Sequence, residues 1–262
     1  MLITSTQMSG WLSDFLWPMM RVGMMFAVVP IFGGQLLPMR MRLVLTLLIT
    51  WVLMPVIPSV PLVDPLSAAG VLISLQQLLI GFLLGFLLQM VFAVMTLAGH
   101  LIATGMGLGF ASMVDPQNGV NVPVIGQFYV TLATLLFLVL NGHLMLISVL
   151  ADSFHTMPVA VDGISRQSFW DVVSWASRMF EGAVLISLPA VTALLMTNIA
   201  FGVVTRAAPQ LHIFNVGFPV TLALGFISIY FGLPDLVPQF SNILGEAFTV
   251  MKGLMTAGTE HV

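Results

Sequence analysis

The sequence predicts an all-α membrane protein, and three observations carry that prediction. Apolar residues make up 59% of the 262, while Asp, Glu, Lys and Arg together make up only 6%, against roughly a quarter in a soluble domain. Six apolar stretches fill most of the chain, each reaching the ~20 residues that a helix needs to cross a bilayer. Runs such as Leu78-Leu79-Ile80-Gly81-Phe82-Leu83-Leu84 are apolar on every face, whereas a membrane β-barrel alternates apolar and polar positions in segments of ~10 residues.

Taken in order, the stretches are 11–37, 43–63, 70–96, 123–150, 179–204 and 211–234. Threaded alternately, they place Arg40, Arg42 and Arg206 in loops on one side. Positive residues mark the cytoplasm, so that side is expected inside and both termini outside. Residues 1–14 carry no Lys or Arg and end in Asp14, which does not fit a cleaved signal peptide. Two stretches are interrupted by charge. Arg178 and Glu181, three apart at a helix start beside Trp170 and Trp175, suit an interfacial ion pair. Arg21 lies near the middle of the first stretch, where an unpartnered arginine costs about 2.5–3.5 kcal/mol. Its expected partners are the C-terminal carbonyls of a neighbouring helix or an acidic group on another subunit. Prolines 18, 30, 55, 58, 61, 189 and 219 sit within or at the ends of these stretches. Lipid cannot satisfy the carbonyls they free, so much of the chain is expected to pack inside a larger assembly.

Residues 97–123 form a long stretch that is glycine-rich yet apolar. Gly105, Gly107 and Gly109 lower helix propensity by about 1 kcal/mol each, and Asp115-Pro116 followed by Asn118-Gly119 is turn chemistry. A solvated loop would be polar, so this segment is expected to be sheltered by protein. It is either a re-entrant packing connection or a movable constriction lining a conduit. Gly81 and Gly85 share one helix face and admit a close helix neighbour. The nineteen methionines serve first as packing, although Met106 and Met113 in the glycine-rich segment suit a constriction that must adapt to unlike chains.

Several function classes are excluded. The net charge of −3 and the lack of any basic run argue against nucleic acid. The glycines have neither the spacing nor the preceding strand of a phosphate loop, so no cofactor is expected. The five histidines show no i,i+4 pairing, there is no cysteine, and no nucleophile turn frames Ser112, His143 and Asp115. Neither a metal site nor an enzyme is expected. A small-solute or ion transporter is the rival reading, and it would place coupling carboxylates within its spans; only Glu181, at a helix end, comes near.

Three blocks carry a family resemblance. The first is Arg21-Val22-Gly23 with Pro30-Ile31-Phe32-Gly33 and Pro38-Met39-Arg40-Met41-Arg42. The second runs from Gly105 to Gly142-His143 and includes Gly109-Phe110-Ala111, Asp115-Pro116 and Pro123-Val124-Ile125-Gly126-Gln127-Phe128. The third is Arg206-Ala207-Ala208-Pro209-Gln210-Leu211 with Phe214-Asn215-Val216-Gly217-Phe218-Pro219. Together they resemble the FliR family and its injectisome relative SctT, with Asp115-Pro116-Gln117-Asn118-Gly119 favouring the flagellar side. His212 and Val220-Thr221 depart from the family pattern, which expects an asparagine and a lysine there.

The resemblance implies kinked helical hairpins within a helical, pore-forming export gate of the bacterial inner membrane and flagellar basal body. One copy would assemble with FliP and FliQ, with FlhB at the cytoplasmic entrance and FlhA nearby, to pass flagellar polypeptides. It divides the chain into a FliP-like part at 1–160, a connector at 161–178, a FliQ-like hairpin at 179–234 and a tail at 235–262. The family's plug loop falls on 105–119, which makes Gly105, Met106, Gly107, Gly109, Phe110, Met113, Asp115 and Pro116 the pore candidates. Arg21, Gly81, Gly85, Arg206, Pro209 and Gln210 are the candidates for subunit contact.

Overall fold

The computed structural model describes residues 5–33, 37–58, 60–61, 63–108, 124–161, 164–207 and 213–257. Among these the regular structure is helical: α1 (Ser5–Val28), α2 (Pro30–Gly33), α3 (Met39–Leu53) continued by a 3-10 turn at Met54–Val56, α4 (Ala68–Gly105), α5 (Val124–Val139), α6 (Gly142–Thr156), α7 (Arg166–Ala207) and α8 (Ile213–Ala257). The chain forms an all-α membrane protein.

The local signals are conventional. Ser67 caps α4 by accepting the Gly70 N–H at 3.1 Å, and Ser165 caps α7 by accepting the Ser168 N–H at 3.1 Å, each satisfying one of the free donors at a helix start. Pro18 lies inside α1, Pro189 inside α7, and Pro219, Pro234 and Pro238 inside α8. α8 nevertheless continues to 45 residues.

The helices differ from the sequence expectation in three ways besides their length: α7 begins at Arg166 rather than 179, which puts Arg178 and Glu181 inside it, and α8 runs to Ala257 rather than 234. Four of those described are long and apolar enough to cross a membrane, or five if α5 and α6 count as one broken span, rather than six. α1 is not among them: Ser9, Ser13, Asp14 and Arg21 dilute its apolar content, and it stops at Val28 ahead of Pro30. The alternate threading that assigned the arginines to one side therefore no longer follows. Second, the stretch 123–150 is divided at Leu140–Asn141, where Asn141 takes a left-handed conformation (φ 56°). Asn-Gly is turn chemistry, and here it outweighs the hydropathy around it. Third, residues 97–105 belong to α4 instead of to the glycine-rich connection. Gly99 is used there for contact: a Cβ on it would lie 2.6 Å from Gly126 Cα.

The chain divides into two compact units, one of Met1–Met90, Asn141–Ala176 and Leu244–Val262, the other of Val91–Leu140 and Ser177–Ile243. In the first, α1 packs on α2 and α3. Trp17, Val22, Met25, Phe26, Ile73, Leu84, Leu87, Leu88, Leu150, Phe154 and Met251 form its core. The buried side of α3 is marked by Thr46 and Thr50, whose hydroxyls donate back to Arg42 O (2.9 Å) and Thr46 O (2.7 Å), while Leu43, Val44, Leu47, Leu48, Trp51 and Val52 are exposed. In the second, Val94, Ala98 and Ala183 make a small-residue contact flanked by Leu97, Met179, Ile186 and Ile243. Phe92 stands edge-on to Phe137 and to Phe240 at 5.9 and 6.3 Å between ring centres.

Candidate functional site

Two constellations gather the predicted site residues, one in each unit. The first is built around Arg21, which is fully buried on α1. Its Nε donates to Gln77 Oε1 at 2.8 Å, Nη1 to Ser153 O at 2.7 Å and to Ser153 Oγ at 3.1 Å, and Nη2 to Met157 O at 2.8 Å. The guanidinium carbon lies 4.2 Å from the centre of the Phe154 ring. Ser153 and Met157 end α6, so the cation sits at the negative end of that helix dipole and over a ring face. Of the two expected kinds of partner, helix-terminal carbonyls are the ones it meets within the chain. Gln77 is oriented by this contact: turning its amide would set an N–H against Nε–H. Its Nε2 is left buried without a hydrogen-bond partner among the described residues.

Gly81 and Gly85 bring the α4 backbone against α1 at the same place. A Cβ on Gly81 would fall on the carbonyl oxygen of Arg21 itself, and one on Gly85 would lie 2.9 Å from Met25 O and from Val28 Cβ. The close helix neighbour expected from their spacing is α1 of the same chain.

The second constellation is the end of α4. Leu108 N donates to Ala103 O and Gly107 N to Thr104 O, each at 3.0 Å, with Gly107 left-handed at φ 82°. This is a Schellman ending, in which glycine takes the conformation that a Cβ disfavours. It leaves the Gly105 and Met106 carbonyls without partners in the helix. Asn198 Nδ2 of α7 donates to Gly105 O at 3.3 Å, and the Thr221 hydroxyl of α8 lies 3.3 Å from Met106 O and 3.0 Å from Phe218 O, between which it shares its proton. The Met106 side chain is fully buried and fills the space above Gly225, where a Cβ would come within 2.6 Å of Met106 Sδ and 2.7 Å of its Cε. Gly105 faces Leu194, and a Cβ there would lie 3.5 Å from Leu194 Cβ. The arrangement holds a helix end in place.

Both constellations lie within residues 12–247, which match the model of bacterial export proteins, family 1. The flagellar biosynthetic protein FliR of Escherichia coli (strain K12) is 37% identical over 254 residues, covering 97% of each chain. The chain belongs to the FliR family. The FliR of Pectobacterium carotovorum is 38% identical over 254 residues (96% of each chain), and that of Bacillus subtilis (strain 168) is 28% identical over 244 residues, covering 92% of this chain and 94% of its own.

Within this FliR-family chain the remaining predicted residues fall as follows. Gly109, Phe110, Met113, Asp115 and Pro116, and likewise Pro209 and Gln210, lie outside the described residues. Arg206 is exposed in the last turn of α7, where a cation suits the helix dipole. Arg178 Nη1 donates to Glu181 Oε2 at 2.5 Å in a half-exposed pair. Trp170 is exposed, whereas Trp175 is buried. Sequence reasoning did not single out Gln77, Ser153, Asn198 or Gly225, and named Thr221 only as a departure from the family pattern. A signal existed for Gln77 and Asn198, since an amide inside an apolar helix needs a partner. None existed for Gly225, one of 23 glycines.

Proposed function

We propose that this FliR-family chain is a core subunit of the flagellar type III protein-export gate. With FliP and FliQ it forms the pore through which unfolded flagellar proteins cross the bacterial inner membrane, with FlhB at the cytoplasmic entrance, FlhA nearby and the whole in the flagellar basal body. It is a conduit, not a catalyst, and takes no cofactor. The observation that carries this reading is the 37% identity to a flagellar biosynthetic protein along 97% of both chains.

The helices lend physical support. Leu185, Leu188, Met196, Ile199 and Val203 make an exposed apolar stripe along α7, and Phe226, Ile227, Tyr230 and Phe231 do the same on α8. Helices of 42 and 45 residues exceed the ~20 needed to cross a bilayer, and large exposed apolar faces suit lipid or protein neighbours.

Within the pore, residues 105–119 act as the plug, with apolar contacts from Phe110 and Met113 closing it, Met106 buried in its own chain at the base of the segment, and Asp115-Pro116 shaping the following turn. Co-expression with FliP and FliQ followed by native mass spectrometry of the purified complex tests the assembly. A single complex containing all three subunits is expected. A chain that purifies alone in their presence would overturn the reading. For the plug, deleting Gly107 to Met113 should leave the complex intact and raise its passage of small ions, and a deletion complex no leakier than wild type would reduce the segment to a connection.

A further inference from the structure

The end of α4 is held by more than its own helix requires. The Schellman bonds already occupy the Ala103 and Thr104 carbonyls, and Met106 N–H takes Ile102 O at 2.9 Å. The next two carbonyls, at Gly105 and Met106, are each met by a side chain from a different long helix, Asn198 of α7 and Thr221 of α8. The Met106 side chain then occupies a notch that exists only because residue 225 has no Cβ. A glycine inside a helix is unfavourable relative to alanine, so its presence mid-helix in α8 is offset here by the seat it makes for Met106. Leu194, buried on α7, closes the other side against Gly105.

We propose that Leu194, Asn198, Thr221 and Gly225 form a socket that receives Gly105-Met106 and acts as the positioning element for the export pore, setting where the chain departs from α4 at Gly107. The socket rests on the gate reading, and its place in that reading is new: Met106 is an anchor seated in its own chain, and the residues that govern closure extend to α7 and α8. Two properties suit such a role. Methionine is unbranched and adjusts its three side-chain torsions without breaking contact. The two polar bonds are 3.3 Å long, longer than the usual range of about 2.7–3.2 Å for N–H···O and about 2.5–3.0 Å for O–H···O, so the seat can release and re-form.

The test uses the full-length chain in complex with FliP and FliQ. Because the chain has no cysteine, Gly105→Cys with Leu194→Cys introduces one thiol pair, with Cβ atoms placed 3.5 Å apart, within the span that a disulfide bridges. Diamide, which takes up the two hydrogens, should join this pair within one chain, as read by peptide mass. In parallel, Gly225→Val should expel Met106 and raise potassium flux through reconstituted complex about tenfold, as an ordinary overpacking penalty shifts a two-state population. Adding Met106→Ala to Gly225→Val should bring the flux back toward wild type, because the new methyls fill the space the thioether vacates. If Gly225→Val does not assemble, Thr221→Val, which removes the hydroxyl and keeps the side-chain shape, and Asn198→Ala, which deletes the carboxamide, should raise the flux in the same direction. A wild-type chain that does not join FliP and FliQ would sink the gate reading, and the cross-link alone would then decide whether the socket exists. A complex that assembles without forming the cross-link would overturn the socket itself. Cross-linking with unchanged flux in every assembled variant would overturn the positioning role and leave the gate standing.

Discussion

The two places at which α4 is fastened differ in kind. In the first unit Gly81 and Gly85 meet α1 backbone to backbone, and Arg21 makes four short hydrogen-bond contacts of 2.7–3.1 Å to partners fixed by helix ends and by Gln77. In the second, the helix end is held by a flexible thioether in a notch and by two bonds of 3.3 Å. Rigid partners on both sides leave no intermediate arrangement, so loosening the first contact means opening the unit. A long side chain and weak bonds can yield a little at a time. One end of the helix is thus built as scaffold and the other as an adjustable seat.

The largest effect that would break this contrast is at Arg21. Arg21→Ala takes the donor from the Met157 carbonyl, while Ser153 O keeps the Met157 N–H at 3.0 Å, and it opens a void; an unsatisfied buried acceptor costs about 1–3 kcal/mol, and the cavity adds to that. Thermal unfolding of the purified complex should shift down strongly, and an unchanged transition would mean that the arginine is dispensable. Gly81→Leu follows, because its Cβ meets a backbone oxygen that cannot swing away. Overpacking of about 1–3 kcal/mol or more should cut the yield of complex, with Gly85→Leu milder where the Val28 side chain can adjust. Equal yields for wild type and Gly81→Leu would contradict the close approach.

Thr221→Val should lose about 1 kcal/mol at most, the net value of one hydrogen bond. Normal complex yield with raised ion flux would sharpen the contrast, whereas lowered yield with no leak would place this end with the scaffold. The smallest effect is expected from Arg178→Ala: its partner Glu181 is half exposed, and such pairs contribute about 0–1 kcal/mol. A large loss of stability there would show that the surface pair is buried in the assembly.

How much was legible in the sequence depends on which kind of contact is asked about. The all-α membrane class followed from composition, and the family from blocks that span the chain. Arg21 announced that it needed a partner, and helix-terminal carbonyls were one of the two kinds expected; which helix supplied them, 132 residues away, had no local trace. The spacing of Gly81 and Gly85 announced a close neighbour without naming α1. The Asn141 break was written in its Asn-Gly pair and lost beneath the hydropathy of 123–150. Residues 97–105 were read with the glycines that follow them, although Leu101, Ile102 and Ala103 continue the helix.

What the sequence by itself determined is therefore what composition, periodicity and short-range chemistry control: that the chain is helical and membrane-bound, and that an arginine and two glycines in apolar helices must meet protein. Only the tertiary structure decided which surfaces are inside. In the most apolar 18-residue stretch of α4, 67% of the residues are buried, against 17% in that of α7, although both read as membrane helices. Apolar character measures what a helix avoids, which is water. Whether it meets its own chain or is left for lipid and other subunits is settled by shape: Gly81, Gly85 and Gly99 let other backbones reach α4, while Leu185, Leu188, Met196 and Ile199 stand outward on α7.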